Sequence, residues 1–224
     1  GDEEGVRFPA TLVGSRAMAG QFDPAWLERT DSSGVSMRQA IIDFGGDPDA
    51  WQSLDRRNGE HGDVVAFVES HIEQGPVLLN EGLAVGVVTA IAGATRMRLN
   101  VTGLAGHAGT VPMGARQDAL TAAAEMILLV ERYCTENAGL VGTVGKLTVK
   151  PGAINVIPQD VEFTIDVRSG TDSIRTAAVA AFKSELLRIA ARRNVRLAIE
   201  TLYDEPAALC DPSLQKQFEV AIAA

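Results

Sequence analysis

The stretch Val161-Glu162-Phe163-Thr164-Ile165-Asp166-Val167-Arg168 decides the fold. Val161, Phe163, Ile165 and Val167 alternate with Glu162, Thr164, Asp166 and Arg168, the period-two pattern of a strand with one face in a core and one in water. The pattern recurs on both sides. Upstream, Met97, Leu99 and Val101 alternate with Arg96, Arg98 and Asn100, and Leu147 and Val149 alternate with Lys146, Thr148 and Lys150. Downstream, Val195, Leu197 and Ile199 repeat it. Two intervening segments switch to helical spacing. Leu120, Ala123, Ile127, Val130 and Cys134 form one stripe over residues 118–134, and Ala178, Phe182, Leu186 and Ile189 form another over residues 174–191. The predicted order is strand, helix, strand, strand, helix, strand. That is the ferredoxin-like order, an α+β module with a four-stranded antiparallel sheet and two helices, spanning residues 92–206.

Residues 1–91 read as α/β material. Asp23-Pro24 opens a helix over residues 25–28, and a second helix over residues 36–44 is closed by Gly45-Gly46. Residues 64–71 read as a strand buried on both faces, with Ala66-Phe67-Val68 at its centre. Gly75-Pro76 opens a short helix stopped by Gly82, and residues 84–91 read as the next strand. After the α+β module, Asp211-Pro212 begins a last helix. Residues 207–224 are therefore expected to return to the first domain, with the α+β module inserted into it. The chain opens without an initiator Met and ends abruptly, so it reads as an internal piece of a longer protein.

Composition narrows the function. Hydrophobic residues are 46% of the chain, enough for a packed core, and no apolar run approaches the ~20 residues of a membrane helix. A net charge of -9 argues against nucleic acid as a partner, since that surface needs a basic face. Cys134 and Cys210 have no metal spacing, and two free thiols suit a reducing cytoplasm. No dinucleotide or phosphate-binding glycine loop is present, and Ser15 in Gly14-Ser15-Arg16 lacks a nucleophile-elbow pattern.

Four places could carry chemistry. Glu3-Glu4 is a paired carboxylate; beside a divalent ion one member can coordinate while the other takes a proton from water. In Val68-Glu69-Ser70-His71-Ile72-Glu73-Gln74-Gly75-Pro76, His71 ends an apolar stretch, and neutral imidazole is the commonest metal ligand. Gln74 beside it can hydrogen-bond a ureido or carboxylate group. In Gly106-His107-Ala108-Gly109-Thr110, glycines let the backbone approach a ligand, and a histidine there could donate to a developing oxyanion. Asn155 stands at a strand–loop junction, and Arg168, on a polar strand face, could bind a carboxylate in a bidentate fork. Taken alone, each of these residues is more often structural. His61, in a charged loop, reads as solvated.

Together these segments resemble the two-metal aminoacylase-like (M20) peptidase superfamily, and more closely its branch of allantoate amidohydrolases and N-carbamoyl-L-amino-acid hydrolases. The resemblance is carried by Glu3-Glu4-Gly5-Val6-Arg7-Phe8, Gly14-Ser15-Arg16-Ala17, His71-Ile72-Glu73-Gln74-Gly75-Pro76, Gly106-His107-Ala108-Gly109-Thr110-Val111-Pro112-Met113, Asn155-Val156-Ile157-Pro158 and Asp166-Val167-Arg168. It implies that Glu3 is the general base and that Glu4 and His71 each bind one of two divalent ions, zinc or manganese. Gln74 is implied to contact substrate, and His107 to reach across a homodimer to the oxyanion. Asn155 and Arg168 are implied to hold the substrate carboxylate from the neighbouring subunit. Residues 92–206 would be the lid and dimerisation domain, and residues 1–91 with 207–224 a partial catalytic domain. The implied reaction is hydrolysis of the ureido C–N bond of allantoate, with N-carbamoyl-L-amino acids or ureidoglycolate as alternatives. The family's first His-x-Asp pair, bridging aspartate and last histidine have no counterpart here, so the chain alone is expected to bind metal weakly and not to turn over. A reading of another class is a non-catalytic dimerisation module.

Overall fold

The computed structural model describes residues 5–56 and 66–223, and the chain divides into two compact units, Gly1–Gln74 and Gly75–Ala224. Glu3, Glu4 and His61 lie outside the described residues.

In the first unit two short helices, α1 (Val13–Met18) and α2 (Met37–Asp43), accompany 3₁₀ turns at Pro24–Glu28 and Ala50–Leu54. The expected helix after Asp23 is the first of these turns, with the Asp23 carboxylate accepting the Ala25 N–H at 2.9 Å. Ser36 caps α2 by accepting the Gln39 N–H at 3.1 Å, and Gly45, at φ +87°, follows its end as expected. Phe8, Ala10, Trp26 and Met37 form a small core, extended by Phe22, which meets Trp26 edge-on and stacks on Trp51. The expected strand over residues 64–71 is absent from its described part. Residues 66–74 form neither helix nor strand and are exposed, including Phe67 and Val68. A strand needs a partner for alternate N–H and C=O groups, and no described segment provides one.

In the second unit the elements follow in the order α3 (Val77–Glu81), β1 (Ala90–Ile91), β2 (Gly93–Thr102), β3 (Gly106–His107), α4 (Ala119–Glu136), β4 (Val141–Thr143), β5 (Leu147–Lys150), β6 (Val156–Ile157), β7 (Asp160–Ser169), α5 (Asp172–Arg192), β8 (Arg196–Glu205), β9 (Ala208–Leu209) and α6 (Pro212–Ala223). Gly82 ends α3 in the left-handed conformation, as expected. The strand expected over residues 84–91 shrinks to β1, because only Ala90 and Ile91 find partners, in β9.

The sheet is antiparallel in the order β4-β7-β2-β8, with β5 also paired to β7. This reproduces the ferredoxin-like order; β5 is the expected second strand, and β4, which the sequence reading did not foresee, joins it along the same side of β7. Alternation explains the layering. Met97, Leu99 and Val101 of β2 and Val161, Phe163, Ile165 and Val167 of β7 are buried against Ala122, Met126 and Val130 of α4 and Ala178, Phe182 and Leu186 of α5. Phe182 also meets Tyr133 of α4 edge to face, with ring centroids 5.1 Å apart. Burying each such large side chain contributes roughly 1.5–3 kcal/mol. Cys134 lies on this inner stripe and burial pushes its thiol up, which suits an inert core residue. Among the described residues no helix is long and apolar enough to cross a membrane.

The β2–β7 ladder runs in unbroken register from Gly93↔Ser169 to Thr102↔Asp160 and then continues outward. Gly103 N–H donates to the Gln159 carbonyl at 2.7 Å, and β3 pairs with β6 through Gly106↔Ile157 and His107↔Val156. The chain leading into α4 crosses directly over this exit: Leu104 N–H donates to the Gln117 carbonyl at 2.9 Å, and Ala119 N–H to the Pro158 carbonyl at 3.2 Å. A Cβ on Gly103 would stand 1.9 Å from the Gln117 oxygen, which is why only glycine fits. Gly103→Ala is expected to lower stability by about 3 kcal/mol in urea denaturation, the upper part of the range for overpacking. Gly114→Ala, whose Cβ meets nothing within 4 Å, is expected to stay within about 0.5 kcal/mol of the unsubstituted chain.

Candidate active site

Of the residues singled out from sequence, His71 and Gln74 belong to the first unit and His107, Asn155 and Arg168 to the second. All five are exposed.

The two histidines are held in opposite ways. His71 Nδ1 lies 2.5 Å from the Ile72 carbonyl oxygen. A carbonyl can only accept, so Nδ1 carries a proton, and in the neutral ring Nε2 then keeps its lone pair. That is the arrangement of a metal-binding imidazole, whose other nitrogen commonly donates to a backbone carbonyl. His107 Nδ1 instead accepts the Gly109 N–H at 3.0 Å. The neutral ring then carries its proton on Nε2, which makes that edge a hydrogen-bond donor. Gly109 is suited to this contact because a Cβ there would press to 3.2 Å from His107 Cε1.

His107 and Asn155 are brought together by the ribbon of β3 and β6. His107 pairs with Val156, and the Ala108 N–H donates to the Asn155 carbonyl at 3.0 Å. The His107 carbonyl accepts Thr110 N–H and Val111 N–H at 3.3 and 3.2 Å, closing a turn. Arg116, which sequence reasoning passed over, reaches back to this turn. Its Nε donates to the Val111 carbonyl at 3.0 Å and a terminal nitrogen to the Ala108 carbonyl at 2.7 Å. Its partners are main-chain oxygens, so side-chain pattern alone carried no signal of the contact.

Arg168 is held by other partners. It stands on the solvent face of β7 and makes a fork to Asp166, Nε and a terminal nitrogen each donating at 2.9 Å. Arg96 on β2 donates to the same carboxylate at 3.0 Å and lies 5.0 Å over the Tyr203 ring. Two guanidinium groups thus share one carboxylate. The hydrogen bond from Arg168, aided by Arg96 and opposed by partial burial, holds the Asp166 carboxyl below its ordinary range. Asp166 was foreseen on the strand face and within the motif Asp166-Val167-Arg168, with no role of its own. The i, i+2 spacing that puts it beside Arg168 is the signal that could have found it.

Gln74 has a backbone φ of +51°. A non-glycine residue in that region is uncommon and often marks a site where surrounding structure fixes a side chain. Among the described residues no group of three or more His, Cys, Asp or Glu side chains could hold a metal ion. The donor chemistry of His71 nevertheless fits a ligand through Nε2, and the second expected ligand, Glu4, lies outside the described residues.

Residues 89–194 match the peptidase dimerisation domain family. The chain is 43% identical over 220 residues to an N-carbamoyl-L-amino acid amidohydrolase of Geobacillus stearothermophilus, covering 98% of this chain and 53% of that protein. It is 39% identical over 239 residues to an allantoate deiminase of Arabidopsis thaliana, covering 98% of this chain and 45% of that protein. Among solved structures it resembles a hydantoinase/carbamoylase family amidase from Burkholderia ambifaria with a TM-score of 0.86 and 33% identity, covering 99% of this chain and 53% of that one. The chain thus spans about half the length of the curated relatives it matches.

The Asp166 cluster has a defined pH window. Its carboxyl has a lower pKa folded than unfolded, so its contribution to stability is complete above the unfolded value of about 3.9 and is lost as pH falls through the folded value. The stability difference between the unsubstituted chain and Asp166→Asn, measured by urea denaturation, is expected to be flat from pH 8 to about 5 and to shrink below about 4.

Proposed function

The chain belongs to the M20 peptidase superfamily, in the branch of N-carbamoyl-L-amino-acid and allantoate amidohydrolases, and on that premise we propose that it is part of a metal-dependent amidohydrolase that cuts the ureido C–N bond of a carboxylate-bearing substrate. The observation that supports this most is the pair of oppositely protonated histidines, one a lone-pair donor at Nε2 and the other an N–H donor at Nε2. Allantoate is the substrate we place first. N-carbamoyl-L-amino acids have equal support, since a relative named for that activity is 43% identical. Ureidoglycolate carries the same two groups.

In this reading Glu4 and His71 would each hold one divalent ion, zinc or manganese. Bound there, the ions supply Lewis acidity and lower the pKa of a water towards about 7. Glu3 takes the proton of the attacking water. The His107 Nε2–H donates to the ureido oxygen as it becomes anionic, a contact worth about 3–4 kcal/mol in the transition state. Arg168 and Asn155 bind the substrate carboxylate, and the Gln74 amide contacts the ureido group. Water adds to the ureido carbon, ammonia leaves with the C–N bond, and the carbamate so formed loses carbon dioxide. Residues 92–206 act as lid and dimerisation domain in a cytoplasmic homodimer, and residues 1–91 and 207–224 belong to the catalytic domain. His107, Asn155 and Arg168 then serve the site of the neighbouring subunit, and closure excludes water. The chain by itself, without the remaining metal ligands of the family, does not turn over.

Ammonia release by the full-length enzyme, with Mn²⁺ or Zn²⁺ and each of the three substrates in turn, tests the reading. Glu3→Gln is expected to abolish turnover and His107→Ala to lower kcat/KM by about 10²–10³-fold. Two bound ions without turnover of any ureido carboxylate would point to a peptidase or deacylase instead. Self-association with neither metal nor turnover would favour the dimerisation module.

A further inference from the structure

We propose that Arg116 is a positioning residue that fixes the His107 turn and thereby the ring nitrogen that carries its proton. The inference rests on the reading of His107 as the oxyanion donor. Both acceptors of the Arg116 guanidinium lie in one turn, the carbonyls of Ala108 and Val111, on either side of Gly109. Gly109 supplies the N–H that occupies His107 Nδ1. Clamping the Ala108 carbonyl therefore fixes its own planar peptide, the Ala108–Gly109 unit whose N–H meets His107 Nδ1, while the bond to the Val111 carbonyl holds the far side of the turn. The guanidinium is half-buried and, among the described residues, no carboxylate lies within ion-pairing distance of it. A partly desolvated cation without an anion is held by these hydrogen bonds to main-chain oxygens and by the water that still reaches it. A surface arginine serving only stability would ordinarily find a carboxylate or remain hydrated.

The base of the clamp is rigid. Arg116 directly follows the 3₁₀ turn Met113–Ala115 and precedes Gln117, whose carbonyl is locked against Gly103 and Leu104. Asp118 then caps α4, accepting from Leu120 N–H at 2.9 Å and Thr121 N–H at 3.1 Å. The side chain thus projects from a fixed helix entry back to the turn. The planar fork spans two oxygens at a set separation, which a lysine ammonium, a single point of charge, cannot do. Through Ala108, whose N–H donates to the Asn155 carbonyl, the same clamp holds Asn155 in register with His107.

The test uses Arg116→Ala and Arg116→Lys in the chain as it stands, with amide hydrogen exchange and the imidazole ¹⁵N spectrum of His107 as readouts. In Arg116→Ala the Gly109 amide is expected to exchange at least about tenfold faster relative to the amides of β7, and His107 to populate both tautomers. Arg116→Lys is expected to fall between, its charge retained and its fork lost. In the full-length enzyme Arg116→Ala should lower kcat by about 10²-fold with little change in KM, the signature of a lost transition-state contact. Unchanged Gly109 exchange and unchanged tautomer in folded Arg116→Ala would overturn the proposal. So would a lysine variant indistinguishable from the unsubstituted chain, and that variant decides alone if the alanine one does not fold. If exchange and tautomer move while His107→Ala leaves turnover intact, the clamp stands and the role given to His107 falls.

Discussion

The antiparallel ladder between β2 and β7 is the constraint on which the second unit depends. Ten consecutive residue pairs, Gly93↔Ser169 to Thr102↔Asp160, fix which side chains face the helices and which face water. A slip of one residue would exchange Phe163 and Ile165 for Glu162 and Thr164 in the core, so the register is set by the hydrophobic effect. That register has chemical consequences at both ends of the strands. At one end the ladder runs on into the ribbon of β3 and β6 and sets His107 beside Val156, next to Asn155. Along the solvent face it lines up Arg96, Asp166 and Arg168 in one charged group.

Precision at the site comes from the main chain more than from side chains. Gly103 leaves room for the Gln117 carbonyl, Gly109 leaves room for its own amide to meet His107, and Arg116 binds carbonyls alone. Each contact removes a freedom that a glycine-rich turn would otherwise have. A flexible turn could present His107 in either tautomer. The bonded turn presents one, and it is the one that can donate from Nε2. His71 reaches the opposite state with a single carbonyl, that of the residue next to it.

Much of the second unit was legible in the sequence. The strands β2 and β7 and the helices α4 and α5 have strong periodic patterns because each is apolar on one face and wet on the other. In the first unit the cap Asp23 was legible for a local reason, since it satisfies an orphan N–H two residues on. Residues 66–71 and 84–89 misled, because an apolar run without a partner looks the same in sequence as one that is paired. His107, Asn155 and Arg168 were picked out by residue type. The links that hold them were hidden, since Arg116 acts on backbone oxygens and Asp166 reads as an ordinary polar position on a strand.

The central claim is that this fold presents two imidazoles in opposite protonation patterns. The most direct measurement is the long-range ¹H–¹⁵N correlation spectrum of the histidine rings of the unsubstituted chain near neutral pH. The account predicts that the neutral ring of His107 is protonated at Nε2 and that of His71 at Nδ1. The same tautomer at both residues, or rapid exchange between tautomers at His107, would contradict it.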